Sequence, residues 1–320
     1  KAFHFLKERI FNIHDLKKLS KEVSELERKI TLFHAKIINE LSITNQKTLV
    51  GFHGQTIYHN AEEKISRQLG DGKLLYQLTK RKIIYNFREN DILNGGEGAP
   101  LTPVFHKLIA TQKKIKLPTC FLNIGGISNV TIVGLDELFS KDIGPGNCLI
   151  DTWVRKNSKK KFDHNGYLAS IGKKNEIIFE QAQELYYNRN KEKKSFDTND
   201  FDVSFSRGLS LEDGTTTLTE FTGSIISETI SLLAKNGKRF DNIIICGGGR
   251  KNKMLMNFIQ KNLSQKIKIK MIDDYGIDGD FVESKAFAFL AIRSYKKLPI
   301  TFPSTTNCKK PCTGGKIIEN

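Results

Sequence analysis

Apolar and polar positions alternate along the chain in a way that predicts helices and strands in turn. Between residues 15 and 42, apolar side chains recur at helical spacing, which predicts one long amphipathic helix or two in series. The same spacing predicts helices at 175–188, 217–235 and 252–263, the second with its start signal at 213–215. Short apolar runs predict strands at 48–50, 82–86, 120–124, 130–133 and 241–246. This alternation predicts an α/β fold, with ligands at the carboxyl ends of the strands.

Glycine-rich turns directly follow several of these apolar runs, at 51–56, 123–129, 142–147 and 246–249. Glycine permits a positive φ and lets backbone N–H groups approach an anion without a Cβ in the way. An ordinary tight turn would explain any single one of them, but the set favours a nucleotide enzyme. A further loop at 94–101 is too rich in glycine for a helix, and we expect it to serve a site.

The length of 320 residues predicts two domains, because single cores usually stop growing below that size. A basic segment marked by proline near residue 117 separates them. We expect a first domain over 1–117, a second over 118–302 and a tail over 303–320 that returns to the first. No apolar stretch approaches the roughly 20 residues of a membrane span, and the start resembles no signal peptide. We therefore expect a cytoplasmic protein without a membrane partner.

Cysteine spacing and charge exclude two further classes of function. The 5 cysteines show no paired CxxC spacing, which indicates a reducing compartment and argues against a zinc site. Cys308 and Cys312 are interpreted as free thiols in a polar tail. The net charge of +16 would suit a nucleic-acid binder, but the lysines are dispersed rather than gathered in one stripe. We favour a solvated basic surface and no nucleic-acid partner.

Six strings of residues, in order along the chain, resemble those of the anhydro-N-acetylmuramic acid kinase family. They are His-Gly-Gln-Thr at 53–56, Gly-Gly-Glu-Gly-Ala-Pro-Leu at 95–101, Asn-Ile-Gly-Gly-Ile-Ser-Asn-Val-Thr at 123–131, Asp-Ile-Gly-Pro-Gly-Asn at 142–147, Cys-Gly-Gly-Gly at 246–249 and Val-Glu-Ser-Lys-Ala-Phe-Ala at 282–288. The resemblance implies an actin/hexokinase-like (ribonuclease H-like) fold of two α/β domains that close on ATP. It also implies a homodimer.

The resemblance implies an activity in peptidoglycan recycling. Such a kinase opens the ring of 1,6-anhydro-N-acetylmuramic acid with water and phosphorylates O6 with ATP and Mg²⁺, which gives N-acetylmuramic acid 6-phosphate. This chemistry needs a carboxylate that acts as general base on the water, and Asp142 matches the family's catalytic aspartate. The other interpretation of Asp142 is an ordinary turn cap. Glu283 would be a second carboxylate near the anomeric carbon.

The resemblance also assigns binding residues. Those implied for ATP are Gly125, Gly126, Ser128, Asn129, Gly144, Gly146, Asn147, Gly247, Gly248, Gly249 and Asn252. Those implied for the sugar are His53, Gln55, Gly96, Glu97, Gly98, Ala99 and Pro100. No residue is assigned to a metal. Taken alone, His53 would be a histidine that is hydrogen-bonded at a strand end, and Arg88 pairs either with an anionic group or with Asp91.

Three departures from the family pattern change these expectations. The family opens with a Gly-Thr-Ser-x-Asp-Gly loop that wraps the phosphates, and nothing like it precedes Phe52. We therefore expect a first domain truncated at its start. Glu97 stands where the family usually has Gln, and Ser284 where it usually has Ala; a carboxylate at 97 should alter affinity for an anionic lactyl sugar. The alternatives are an inactive remnant or sugar-binding protein of this fold, or a kinase for another amino sugar.

Overall fold

The structure, a computed structural model, describes residues 2–41, 48–190 and 195–319, and only the backbone of residues 189 and 190. The chain forms two compact units. Unit 1 comprises Lys1–Phe105 together with Glu283–Asn320, and unit 2 comprises His106–Val282. The domain limits expected from the sequence, at 117/118 and 302/303, stay a prediction.

The helices and strands follow one another in this order. The first part contains α1 (Ala2–Lys7), α2 (Ile13–Lys18), α3 (Ser20–Glu40), β1 (Leu49–Phe52), β2 (Gln55–Asn60), β3 (Ile65–Leu69), α4 (Gly72–Thr79), β4 (Lys82–Tyr85), α5 (Glu89–Leu93) and α6 (Pro103–Gln112). The middle contains β5 (Thr119–Ile124), β6 (Ile127–Val133), β7 (Leu138–Pro145), α7 (Cys148–Asn157), α8 (Tyr167–Ile171), α9 (Glu176–Asn190), α10 (Leu211–Lys235), β8 (Asn242–Cys246), α11 (Lys253–Asn262) and β9 (Lys268–Met271). The last part contains α12 (Val282–Tyr295), α13 (Pro303–Thr306) and β10 (Lys316–Ile318).

Unit 1 contains a small mixed sheet and a separate hairpin. Strand β4 lies in the middle of the sheet, parallel to β1 and antiparallel to β10. The hairpin joins β2 to β3, and buried side chains such as Ile57 and Leu69 pack against Leu6 and Val23 of the N-terminal helices. Because these side chains lose their contact with water, packing against the helices stabilises the hairpin in addition to its own pairing.

Unit 2 is built on a five-stranded sheet with the order β7-β6-β5-β8-β9. Strand β6 is antiparallel to β5 and β7, whereas β8 and β9 run parallel to β5. Counted from β5, this is the order 3-2-1-4-5 with only the second strand reversed, which agrees with the predicted ribonuclease H-like fold class. Side chains of β5 and β8, among them Leu122 and Ile245, form one buried cluster with Ile226 and Ile259 of α10 and α11. The α/β prediction is confirmed.

Most predicted elements are confirmed, with one correction at a helix start. The helix pattern at 15–42 is two helices in series, α2 and α3, while residue 42 lies outside the described residues. The start signal at 213–215 is wrong, because α10 begins at Leu211 and the Ser210 side chain caps it by accepting a hydrogen bond from the Asp213 N–H. Gly214 lies inside the helix, where a Cβ would come within 2.3 Å of the Trp153 ring.

The structure also contains strands that the apolar pattern did not predict, namely β2, β3, β7, β9 and β10. In the described ranges 2–41, 48–190 and 195–319, no helix has both the length and the apolar character needed to cross a membrane.

His106 is a buried histidine that ties α6 to the sheet of unit 2. Its ring stacks on Phe121 with 4.8 Å between the centroids, and its Nδ1 lies 2.9 Å from the Thr131 hydroxyl oxygen. Burial lowers the pKa of His106 from 6.5 to about 3. The unfolded chain therefore binds this proton more readily than the folded chain does, and the folded state loses stability as the pH falls below the unfolded value.

We expect His106→Phe to reduce the dependence of stability on pH. The free energy of unfolding of the unmodified chain should fall by about 1.5–2 kcal/mol more than that of the variant between about pH 6.5 and about pH 5. Chemical denaturation at both pH values measures the difference. Equal losses in the two proteins would contradict the role given to this ring.

Candidate functional site

Two predicted glycine turns meet at one edge of the unit 2 sheet. Strands β5 and β8 are parallel, with Asn123 opposite Cys246, so the turns that follow them emerge side by side. Gly247 has a φ of 82°, and a Cβ there would lie 2.6 Å from the Ile124 carbonyl oxygen. The two backbones can approach this closely only because glycine stands at 247.

The third turn, after β7, joins the same cluster. The Gly146 N–H donates to the Gly126 carbonyl oxygen at 2.9 Å, and the Asn147 N–H donates to the Gly125 carbonyl oxygen at 2.7 Å. The Asn147 side-chain amide also donates to the Gly125 carbonyl oxygen, at 3.1 Å. The structure therefore brings the turns at 125–129, 144–147 and 247–249 together.

Some polar groups at these turns have no partner among the described residues. Gly126 and Gly248 are exposed, and their N–H groups donate to no acceptor in the parts of the chain that the structure describes. Within the same ranges, the buried Ser128 hydroxyl and the Asn129 side-chain oxygen also lack a partner. Exposed N–H groups at the ends of strands form a potential anion site.

Two of the residues predicted for ATP have structural tasks. The Asn252 side chain is buried and caps α11 by accepting a hydrogen bond from the Leu255 N–H at 3.1 Å. Gly144 is buried inside β7, opposite Ser128. The Asn252 side chain is thus engaged at the helix start and Gly144 lies within a strand, and their predicted roles stay predictions.

Asp142 lies on β7 beside the turn cluster. It stands opposite Asn129, next to an irregularity in the pairing of β6 and β7 that shifts the register by one residue. The side chain is only 5% exposed, and its carboxylate accepts a hydrogen bond from the Phe196 N–H at 3.1 Å. Such bulges re-aim side chains at functional sites. The carboxylate is thus fixed in direction and shielded from bulk water.

Asp151 was not singled out in the sequence, although it lies one helical turn after Asn147. Burial raises its pKa from 3.8 to about 6, Arg155 opposes the shift and Asp163 adds to it. A carboxyl group that titrates near neutral pH is a frequent feature of functional sites. Its position four residues after Asn147, which places it one helical turn beyond the third glycine turn, was the signal that could have indicated Asp151.

On unit 1, His53 and Arg88 form one hydrogen-bonded group with the glycine-rich loop. Arg88 donates through Nε to His53 Nε2 at 3.1 Å and through Nη1 to the Gly98 carbonyl oxygen at 2.7 Å. Because the guanidinium can only donate, His53 Nε2 must accept, so the ring proton sits on Nδ1 and is donated to the Gly54 carbonyl oxygen at 3.0 Å.

His53 is consequently neutral over the usual pH range. Burial, together with the charge of Arg88, lowers its pKa from 6.5 to about 3. Its ring packs against Phe287 with 4.2 Å between the centroids. Both ring nitrogens are engaged within the protein, so in this structure His53 orients Arg88 and the loop.

The other residues predicted for the sugar, and the second predicted catalytic carboxylate, lie on three parts of unit 1. Gln55 is exposed at the start of β2, and Glu283 is exposed in the first turn of α12. In the loop, the Gly98 N–H donates to the Asp91 carboxylate at 2.7 Å, and the Glu97 N–H donates to the Thr306 carbonyl oxygen at 2.8 Å. The loop is therefore tied on one side to α5 and on the other to α13. The Gly96 N–H also donates to the Asp91 carbonyl oxygen, while Ala99 is half-buried and Pro100 is buried.

Arg250 connects the turn after β8 to the segment that follows β9. Its guanidinium donates two hydrogen bonds to the Asp273 carboxylate, at 2.7 and 3.1 Å, one to Asp280 at 2.7 Å and one to the Gly247 carbonyl oxygen at 3.0 Å. The Arg250 side chain is only 6% exposed, whereas the two carboxylates are 44% exposed. The guanidinium, itself held by the two carboxylates, fixes the position of the Gly247 carbonyl oxygen.

We expect Arg250→Met to lower the free energy of unfolding by about 1–3 kcal/mol, because a partly buried carbonyl and two carboxylates lose the hydrogen bonds from this guanidinium. Lys251→Met is the matched control, since Lys251 is 54% exposed and pairs only with Asp280 among the described residues. Its cost should stay below about 1 kcal/mol. Denaturant titration of both variants gives the comparison, and equal costs would count against the bracing role of Arg250.

Solved structures resemble this chain only weakly. An activator of 2-hydroxyisocaproyl-CoA dehydratase from Clostridium difficile with bound ADPNP shares 13% sequence identity, with a TM-score of 0.39 over 71% of this chain and 82% of that one. A xylulose kinase from Rhodospirillum rubrum shares 10% identity, with a TM-score of 0.38 over 60% of this chain and 41% of that one. Likenesses at this level carry no argument about function.

Sequence comparison gives a much stronger result. The family model described as anhydro-N-acetylmuramic acid kinase matches residues 4–320. A relative of that name from Pelagibacter ubique (strain HTCC1062) is 53% identical over 98% of this chain and 86% of its own length. Another, from Agrobacterium fabrum, is 36% identical over 93% of this chain and 81% of its own length. The family predicted from the glycine-rich strings is confirmed, and the chain belongs to the anhydro-N-acetylmuramic acid kinase family.

Proposed function

We propose that this chain uses ATP to phosphorylate O6 of 1,6-anhydro-N-acetylmuramic acid while water opens the anhydro ring. The product would be N-acetylmuramic acid 6-phosphate. Membership of the kinase family over residues 4–320 supports the reaction class. The observation that carries the proposal is the convergence on unit 2 of three glycine turns beside the buried carboxylate of Asp142.

The reaction requires one general base, which takes a proton from water, and one acceptor of the phosphoryl group, which is O6. Water attacks the anomeric carbon, the bond from that carbon to O6 breaks, and O6 takes the γ-phosphoryl group while ADP leaves. The water must lose a proton, and a carboxylate that is buried and held in a fixed direction beside the turn cluster can accept it. We assign this role to Asp142. Glu283, exposed at the start of α12, is the second proposed carboxylate.

ATP fits the donor set of the turn cluster. The N–H groups of Gly126 and Gly248 are exposed donors, and phosphate oxygens are the acceptors that such turns bind. The Ser128 hydroxyl and the Asn129 side-chain oxygen, which lack a partner among the described residues, would add further polar groups beside these donors. Mg²⁺ would enter with the phosphates, which supply part of its oxygen ligands and neutralise charge during transfer.

The sugar would be bound by unit 1. The loop that holds Glu97 and Gly98 is fixed by the Asp91 carboxylate and by Arg88, and these bonds define its shape before any ligand arrives. A preformed loop reduces the entropy lost on binding. Glu97 would discriminate against the anionic lactyl group unless that group faces away from it.

The remaining parts of the proposal follow from the family resemblance and from the charge pattern. We propose a homodimer in the cytoplasm that has no membrane partner. The dispersed lysines would serve as a solvated surface rather than as a nucleic-acid site.

A coupled assay of ADP release tests the reaction. The full product of the gene is given ATP, Mg²⁺ and 1,6-anhydro-N-acetylmuramic acid, with N-acetylglucosamine and the already opened N-acetylmuramic acid as control sugars. We expect ADP only with the anhydro sugar, and a product with phosphate on O6 in the mass spectrum. ADP with a control sugar alone would indicate a kinase for another amino sugar. Sugar binding without ADP would indicate an inactive member of the fold.

We expect Asp142→Asn to lower kcat about a hundredfold to ten-thousandfold and to leave ATP binding nearly unchanged, because the amide cannot accept the proton. Asp241→Asn is the control, since that carboxylate is 70% exposed and lies 3.8 Å from the Lys116 amine on the surface. Steady-state kinetics and calorimetric ATP titration separate the two effects. A parallel loss of ATP binding and turnover would remove Asp142 from the role of base.

A further inference from the structure

Two thiols and a carboxylate converge inside unit 1, outside the groups used above for chemistry. The Sγ atoms of Cys308 and Cys312 and a carboxylate oxygen of Asp91 all lie within 4.8 Å of one another. All three residues are buried, with exposures of 2%, 3% and 1%. Both cysteines are free thiols, as the sequence predicted, but they are buried, so the expected placement in a polar tail was wrong.

The backbone fixes each of the three groups independently. Cys312 is bridged to Thr301, accepting from and donating to that residue's backbone. Cys308 follows α13 through Asn307, whose φ of 58° turns the chain back toward α5. Asp91 is oriented by the Gly98 N–H and by the Thr306 hydroxyl, each 2.7 Å from one of its carboxylate oxygens. The three groups are therefore brought together by the fold of the backbone and not by the choice of side-chain rotamers alone.

The Asp91 carboxylate is buried without a cation beside it. Over residues 2–41, 48–190 and 195–319, it forms no ion pair with a lysine, arginine or histidine, and only two hydrogen bonds reach it. A carboxylate has about four lone-pair sites, so about two remain unused. A buried charge is normally paired or bound to a metal, because burial without compensation is costly.

We propose that Asp91, Cys308 and Cys312 bind a zinc ion. Thiolate and carboxylate are both zinc ligands, and a thiolate pair selects zinc over magnesium or calcium. Ligand atoms on one tetrahedral zinc lie about 3.3–3.8 Å apart, so the present spacing needs only a small inward movement. Each thiol gives up its proton to solvent as its sulfur bonds the metal, and three protein ligands leave one position for water.

The protonation of the thiols makes this binding dependent on pH. Zinc binds the thiolate and not the thiol, so binding displaces protons and the affinity should fall as the pH is lowered. Among the described residues, the charge of Lys310 also acts on Cys312 and favours its thiolate, and the Lys309 side chain lies close to Gly95 on the loop side.

The proposed ion would join segments that the sugar loop depends on. The Lys309 N–H donates to the Asn94 carbonyl oxygen at 3.1 Å, and the Glu97 N–H donates to the Thr306 carbonyl oxygen at 2.8 Å. Asp91 belongs to α5, and the two cysteines belong to the segment after α13. A zinc bound to all three would cross-link both sides of the loop and act as a structural clamp.

Metal binding to the full gene product provides the test. The reduced protein is stripped with a chelator and titrated with Zn²⁺, and with Co²⁺ as an optical probe. We expect one Zn²⁺ per chain, a thiolate-to-cobalt charge-transfer band and a higher melting temperature. X-ray absorption of the zinc form should show two sulfur atoms at about 2.3 Å and oxygen at about 2.0–2.2 Å. This spectrum needs no variant and decides the ligands even if a substitution prevents folding.

Variants assign the ligands by position. Cys308→Ser and Cys312→Ser should each weaken Co²⁺ binding by at least about tenfold and reduce the charge-transfer band. Cys120→Ser is the matched control, because Cys120 is equally buried but lies in the core of unit 2. Absence of stoichiometric metal in the unmodified protein, or sulfur-free coordination, would overturn the proposal. So would a Cys308–Cys312 disulfide, seen as a loss of two hydrogens in the mass spectrum of protein kept under reductant.

Discussion

The parallel pairing of β5 with β8 is the constraint on which the geometry of unit 2 depends. It aligns Asn123 with Cys246, so two glycine turns leave the sheet at the same edge. Strand β6 then returns antiparallel to β5, and β7 pairs with β6, which carries the third turn back to the first. A slip of one residue in this register would turn the side chains to the opposite face and separate the three turns.

In unit 1 a single carboxylate has the corresponding organising role. Asp91 accepts hydrogen bonds from the Gly98 N–H and the Thr306 hydroxyl, and so connects α5, the glycine-rich loop and α13. Arg88 supports the same loop from the other side through the Gly98 carbonyl oxygen. The loop is therefore shaped by polar contacts, two of them local and one, from the Thr306 hydroxyl to Asp91, between residues far apart in sequence.

Sequence reasoning was accurate where local composition decides structure. Strands β5 and β8 are apolar and are followed directly by glycine, so both the strand and its turn could be predicted. Strands β9 and β10 were missed because they are short, lysine-bearing edge strands that are defined by a pairing partner rather than by an apolar pattern. The segment that contains Cys308 and Cys312 was interpreted as polar because lysines lie between the two cysteines. Only the folded chain brings them close to Asp91. The residue roles carried over from the family stay predictions.

The division of unit 1 between both ends of the chain has a consequence for biosynthesis. Strand β10 completes the sheet of unit 1 by pairing with β4, and all of unit 2 lies between them in the sequence. During synthesis the N-terminal part of the chain leaves the ribosome first, and domains generally fold as units. The sheet of unit 2 can therefore form before β10 is available to pair with β4. A ribosome that stops shortly after Val282 would release a folded unit 2 attached to an unfinished unit 1.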